Sequence, residues 1–218
     1  MKLFSLDSPF GKAIALLADL CILNLLFLFS CLPVFTIGAS CAALYDTAHG
    51  LLTQECNAVS RTFFAAFKRS FKKGTLLFLI SAAFGAFMVF DLLCAAQLDS
   101  VMALLCIGVI AASSYFYFAV MALAPMTLLR SEGGVKEIIK ESFLNAIKGT
   151  WRTVVAVVLN VAPFVLFLFT PALFMQTWMF WFLMGFGIVA YINNHLLLKA
   201  VDPALWEELR PVKKEKKK

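Results

Sequence analysis

Charge is what this chain has least of. Of its 218 residues, 15% are Asp, Glu, Lys or Arg, against roughly 25% in an ordinary soluble domain. Hydrophobic residues make up 62%, with 23 phenylalanines among them. Folded in water, such a chain would leave large apolar areas against solvent. That excludes a soluble enzyme, a disordered segment and a nucleic-acid-binding domain. Motifs for chemistry are missing as well. There is no G-x-x-x-x-G-K-[ST] loop for ATP, no G-x-G-x-x-G turn and no G-x-S-x-G elbow. No apolar run carries the row of arginines that a voltage sensor needs. The two histidines, His49 and His195, have no i, i+4 partner or H-E-x-x-H context for zinc. The six cysteines form no C-x-x-C pair, and they read as small apolar fillers. No enzyme activity, metal or cofactor is expected.

What is present is a succession of apolar runs, at 13–32, 34–52, 74–94, 101–129, 153–170 and 172–198. An α-helix needs about 20 apolar residues to cross the ~30 Å hydrocarbon core. The expectation is therefore an all-α integral membrane bundle forming a single domain. The first run is too long for a signal peptide, contains Asp19 and lacks a cleavage site, so it reads as a retained anchor. Basic residues settle the topology, because cytoplasmic loops carry excess Lys and Arg. Such residues crowd 53–73, 130–152 and the lysine-rich end at 203–218, and none occurs at 95–100 or beside Pro171. Both long loops and the C-terminus then lie inside, and Lys2 and Lys12 call for the N-terminus inside too. An even count of crossings follows, hence six, with 13–52 a helical hairpin turning at Pro33. The run 34–52 is the weakest, holding Thr36, Gly38, Ser40, Asp46 and His49. Five spans, or a second segment that re-enters, are the alternatives. The net charge of +6 is thus addressed to anionic headgroups of a bacterial cell membrane and not to nucleic acid.

Two basic loops share one design. RTFFAAFKRSFKK at 61–73 and KEIIKESFLNAIK at 136–148 place apolar residues at helical spacing between cations. Each suits a short amphipathic helix in the headgroup layer, with Lys68, Arg69, Lys72, Lys73, Lys136 and Lys140 toward anionic lipid. Each ends in Lys-Gly-Thr, at Lys73 and at Lys148. This suggests two units of amphipathic helix plus hairpin, at 61–129 and 136–199.

Polar residues inside a membrane are costly and need partners. Asp19, Asp46, His49, Asn193, Asn194 and His195 fall at one depth, just beneath the cytoplasmic face by helical rise. They form either a cytoplasm-facing polar pocket for a ligand or partner, or a set of helix-to-helix bonds. Asn24 and Asn160 fall deeper and are expected to pair with each other.

The stretch 19–45, DLCILNLLFLFSCLPVFTIGASCAALY, resembles the opening signature of the YesL-like family. That family comprises small multi-spanning membrane proteins of Gram-positive bacteria with no established activity. Residues 63–75 resemble its first basic loop. The resemblance implies a setting beside sugar uptake and carbohydrate utilisation, and no catalytic residue. It also directs attention to Pro33, Thr36 and Gly38, where a rigid turn precedes small residues that permit close helix approach. With Asn24 they are expected to define a structural hairpin. Two functions are expected. One is an accessory or regulatory component with a sugar transporter or another membrane protein as partner. The other is a small transporter or channel working as a homo-oligomer.

Overall fold

A computed structural model describes residues 9–97, 100–130, 133–148 and 150–201. Lys2, Asp99, Gly149 and the basic end at 203–218 lie outside the described residues. Among the described residues all regular structure is helical, and five helical stretches are long and apolar enough to cross a membrane. They are Phe10–Ser30, Val59–Ala95, Val101–Leu128, Trp151–Phe169 and Pro171–Leu197.

The first helix, α1 (Pro9–Ser30), stops where the sequence dictates. Pro33 has no N–H to donate and disfavours helical geometry at the residue before it. A one-turn 3-10 segment, Val34–Thr36, leads into α2, Ile37–Leu52. The Thr36 hydroxyl donates to the carbonyl of Ser30 at 2.6 Å and bonds that of Pro33 at 2.5 Å. The turn so repairs part of the pairing the proline removes. Thr36 itself is buried, while Leu32, Val34 and Phe35 point outward, exposed by 75%, 66% and 54%.

The second apolar run, 34–52, behaves differently from the rest. At 16 residues, α2 is about 24 Å long, short of the hydrocarbon thickness. It is also the central helix. Ala39, Ala42, Ala43, Leu44, Tyr45 and Ala48 are all buried. Leu20, Leu23 and Phe27 of α1 join Ala43 and Leu44 in one apolar core with side chains from the helices described next.

Helix α3 (Val59–Ala95) is continuous over 37 residues, about 55 Å. The amphipathic stretch 61–73 is therefore not a separate short helix, as its composition suggested. It is the first part of α3, because nothing between Lys73 and Gly74 interrupts helical pairing. The expected hairpin packing is corrected too. The close approach that Gly38 permits is made to α3, not to α1. A β-carbon on Gly38 would stand 2.1 Å from the Gly74 carbonyl oxygen, and one on Gly74 would stand 2.8 Å from the Ala39 nitrogen. Two glycines thus bring two backbones together.

The remaining helices are α4 (Ser100–Arg130), α5 (Val135–Lys148), α6 (Thr150–Phe169), α7 (Pro171–Phe180) and α8 (Phe186–Val201). A π-helical turn, Trp181–Gly185, joins α7 to α8. Pro125 lies inside α4 and Pro163 inside α6. Helix α5 folds back on α4, where the hydroxyls of Thr127 and Ser142 meet at 2.7 Å in a buried contact. It buries Ile138, Ser142 and Ala146 and leaves Phe143, Leu144 and Ile147 exposed with its lysines.

Candidate functional site: two polar knots and an ion pair

Asn24 projects from α1 onto the π turn. In such a turn the backbone N–H reaches back five residues in place of four, which disturbs the pairing of the carbonyls around it. The Asn24 amide supplies partners. Its Nδ2 donates to the carbonyls of Trp181 at 3.1 Å and Phe182 at 2.7 Å. Its Oδ1 accepts from the Gly187 N–H at 2.9 Å. Gly187 permits this approach, since a β-carbon there would stand 2.9 Å from the Leu20 carbonyl oxygen. The expected Asn24–Asn160 pair is thus replaced by a bond set to backbone, because the π turn presents unpaired groups beside α1.

Asn160 belongs to a second knot, around Tyr45. Asn193 Nδ2 donates to the Tyr45 hydroxyl at 2.9 Å, and that hydroxyl donates to Asn160 Oδ1 at 3.3 Å. Asn160 Nδ2 continues to the Ala156 carbonyl at 2.8 Å. Asn194 Nδ2 donates to the Tyr45 and Ala190 carbonyls, both at 3.0 Å. The knot ties α2 to α6 and α8. Asn193, Asn194 and Tyr45 are buried. Among the described residues Asn193 Oδ1 is a buried atom left without a partner, as is Thr75 Oγ1 on α3.

Asp46 follows Tyr45 in sequence but points about 100° around the helix, and so leaves the knot. Its carboxylate accepts from Arg69 Nη2 at 2.9 Å, with the Arg69 side chain 62% and the Asp46 side chain 28% exposed. Burial raises the Asp46 carboxyl above its ordinary value, while the charges of Arg69 and His49 and the Arg69 hydrogen bond pull it back. His49 lies three residues on, on the same face as Asp46.

The six residues expected to form one cytoplasm-facing pocket are therefore divided. Asn193 and Asn194 converge on Tyr45, and Asp46 pairs with α3 instead. Asp19 is half-buried on α1, and His195 is exposed on α8. Sequence reasoning missed Tyr45, whose signal was the one phenol among the small residues of α2. It also missed the π turn, which no polar or proline residue marks. Of the basic residues, Lys68, Arg69, Lys72, Lys136 and Lys140 are exposed and Lys73 is half-buried. Among the described residues no group of three or more His, Cys, Asp and Glu is arranged to hold a metal ion.

A family described as a protein of unknown function, DUF624, matches residues 20–92. The similarity runs from α1 through the Pro33 turn and α2 almost to the end of α3. It contains Asn24, Tyr45 and both glycines of the α2–α3 contact. No curated protein and no solved structure matches the chain.

Proposed function

We propose that this chain is an accessory or regulatory protein of a bacterial cell membrane, one that acts by docking a partner and not by carrying a solute. The observation behind this reading is the use made of the intramembrane amides. A polar path needs side chains that face a solute. Here Asn24 makes three bonds to the α7–α8 region and Asn194 two to backbone. The resemblance to the YesL-like family supports a sugar transporter, or another component of carbohydrate uptake, as the partner. Crosslinking and purification from cells grown on the relevant sugars should recover such a partner. Its absence, together with solute flux in reconstituted vesicles that Tyr45→Phe or Asn193→Leu abolishes, would favour an oligomeric transporter.

The topology that goes with this reading has four crossings and a re-entrant pair. Helix α2 packs along the basic first part of α3, as the Gly38–Gly74 contact and the Asp46–Arg69 bond indicate. Past Gly74, α3 runs on to Ala95, about 31 Å further, enough to cross on its own. The Pro33 turn then enters lipid from the cytoplasmic side. Its exposed Leu32, Val34 and Phe35 suit hydrocarbon, and Thr36 supports the polar backbone that lipid cannot satisfy. Both termini remain cytoplasmic, and α5, with its exposed apolar and basic residues, lies at the interface. Single cysteines at positions 32 and 34, in a cysteine-free background, should resist impermeant thiol reagents from outside. Labelling there from outside would restore six crossings.

A further inference from the structure

A groove of about 270 Å³ opens on the outer surface of the bundle. Its walls are Leu77, Ile80 and Phe84 of α3, Phe116 and Val120 of α4, and Ile139 of α5. Its few polar groups are turned away. The Ser81 hydroxyl donates to the Phe78 carbonyl, Ser113 to that of Val109, and Tyr117 to that of Ser81. The interior is therefore hydrocarbon-like. Ile80, Phe84 and Phe116 stay substantially exposed, so the groove communicates with the surroundings of the bundle.

Its mouth has a charge. On α3 the lining residues 77, 80 and 84 follow helical spacing, and Lys73 is the preceding position on that stripe. On α5, Lys136 precedes Ile139 by three residues and shares its face. Lys136 is exposed. The acidic residues of α5, Glu137 and Glu141, stand two positions from Ile139 and belong to other faces. The Glu137 carboxylate folds back over Gly133. Two cations from different helices therefore flank the cytoplasmic end of an apolar slot.

We infer that this groove is a binding site for an anionic phospholipid. One acyl chain lies between α3 and α4, and the phosphate is held at Lys136 and Lys73. The inference rests on the reading of these helices as membrane-embedded. Two tests separate the failure of each. If alkaline carbonate strips the chain from membranes, the membrane reading fails. The lipid site is tested on the purified full chain in detergent, by native mass spectrometry with phosphatidylglycerol and phosphatidylcholine of matched chains. Phosphatidylglycerol should be retained preferentially, and retention should fall about fivefold for each lysine changed in Lys73→Gln and Lys136→Gln. Ser113→Trp fills the slot and should release both lipids, whereas Val89→Trp, on an exposed face of α3 away from the groove, should release neither. Equal retention of the two lipids by the parent chain would overturn the proposal. Because Ser113→Trp could disturb folding, a second readout uses the unaltered chain. Phosphatidylglycerol with a photoreactive group in its acyl chain should crosslink to peptides covering 77–84 and 113–121. Label confined to other helices would overturn the site.

Discussion

Replacing Asn24 by Leu removes an amide while keeping the same branched heavy-atom skeleton. Three bonds disappear, at 3.1, 2.7 and 2.9 Å, and they leave two carbonyls and one N–H of the α7–α8 region without that partner. Interhelical bonds in membranes average about 0.6 kcal/mol, with an upper value near 1.7. Three of them place the loss at about 2–5 kcal/mol. Bonds from one side chain to one turn act together, and orphaned groups in a dry environment cost more than a lost bond between solvated ones, so the upper half of that range is expected. Thermal unfolding in a mild detergent, followed by size-exclusion chromatography of heated samples, would read this as a midpoint lowered by at least about 4 °C. Asn24→Ala should lower it further, since it adds a void to the same loss. The opposing outcome is definite. If the π turn can relax to ordinary α pairing, its carbonyls recover partners within the helix and Asn24→Leu leaves the midpoint within about 1 °C of the parent. That result would refute the idea that Asn24 holds the turn.

Three further outcomes follow from the packing and the two other polar groups. Gly38→Ala and Gly74→Ala each push a methyl into opposing backbone and should destabilise by about 1–3 kcal/mol; Gly108→Ala, with nothing within 4 Å, should be neutral or slightly stabilising in the same melt. Tyr45→Phe breaks the link between Asn193 and Asn160 and should cost about 1–2 kcal/mol. Combined with Asn193→Leu it should give less than the sum of the two, because both changes remove the same bond. The Asp46–Arg69 pair is largely solvated on its Arg side, so a double-mutant cycle should report no more than about 1 kcal/mol. Because burial raises the Asp46 carboxyl, the folded chain holds that proton more tightly than the unfolded one. The Asp46 contribution to stability therefore falls as pH rises through the carboxylate range, and Asp46→Asn should remove that component from the pH profile of the melt.

Much of the architecture is readable from composition, and the misreadings share one cause. Five of the six apolar runs became helices long enough to cross a membrane, because length and hydropathy are properties of a segment alone. The end of α1 at Pro33 was legible for the same reason, since proline acts on its own backbone and its neighbour. The run 34–52 was counted with the spans because a buried helix and a lipid-facing one are both apolar. What distinguishes α2 is its neighbours. Its alanines and Gly38 are small to admit other helices, and only the position of Gly74 on α3 shows which helix comes closest. The amphipathic stretch 61–73 misled in the opposite sense, because periodicity locates a polar face without saying where the helix ends.

The candidate site divides along the same line. That Asn24, Asn160, Asn193 and Asn194 needed partners followed from placing amides in an apolar medium. Which partners they found did not. Depth along a helix is a one-dimensional quantity, and it paired Asn24 with Asn160. In three dimensions Asn24 meets a π turn and Asn160 meets Tyr45, since rotation about each helix axis decides which residue faces which. The sequence by itself determined the apolar medium of the helices, because hydropathy adds up residue by residue. Only the tertiary structure decided the centrality of α2, the glycine contact with α3 and the polar knots. Those depend on how helices rotate and approach, and no single segment carries that information.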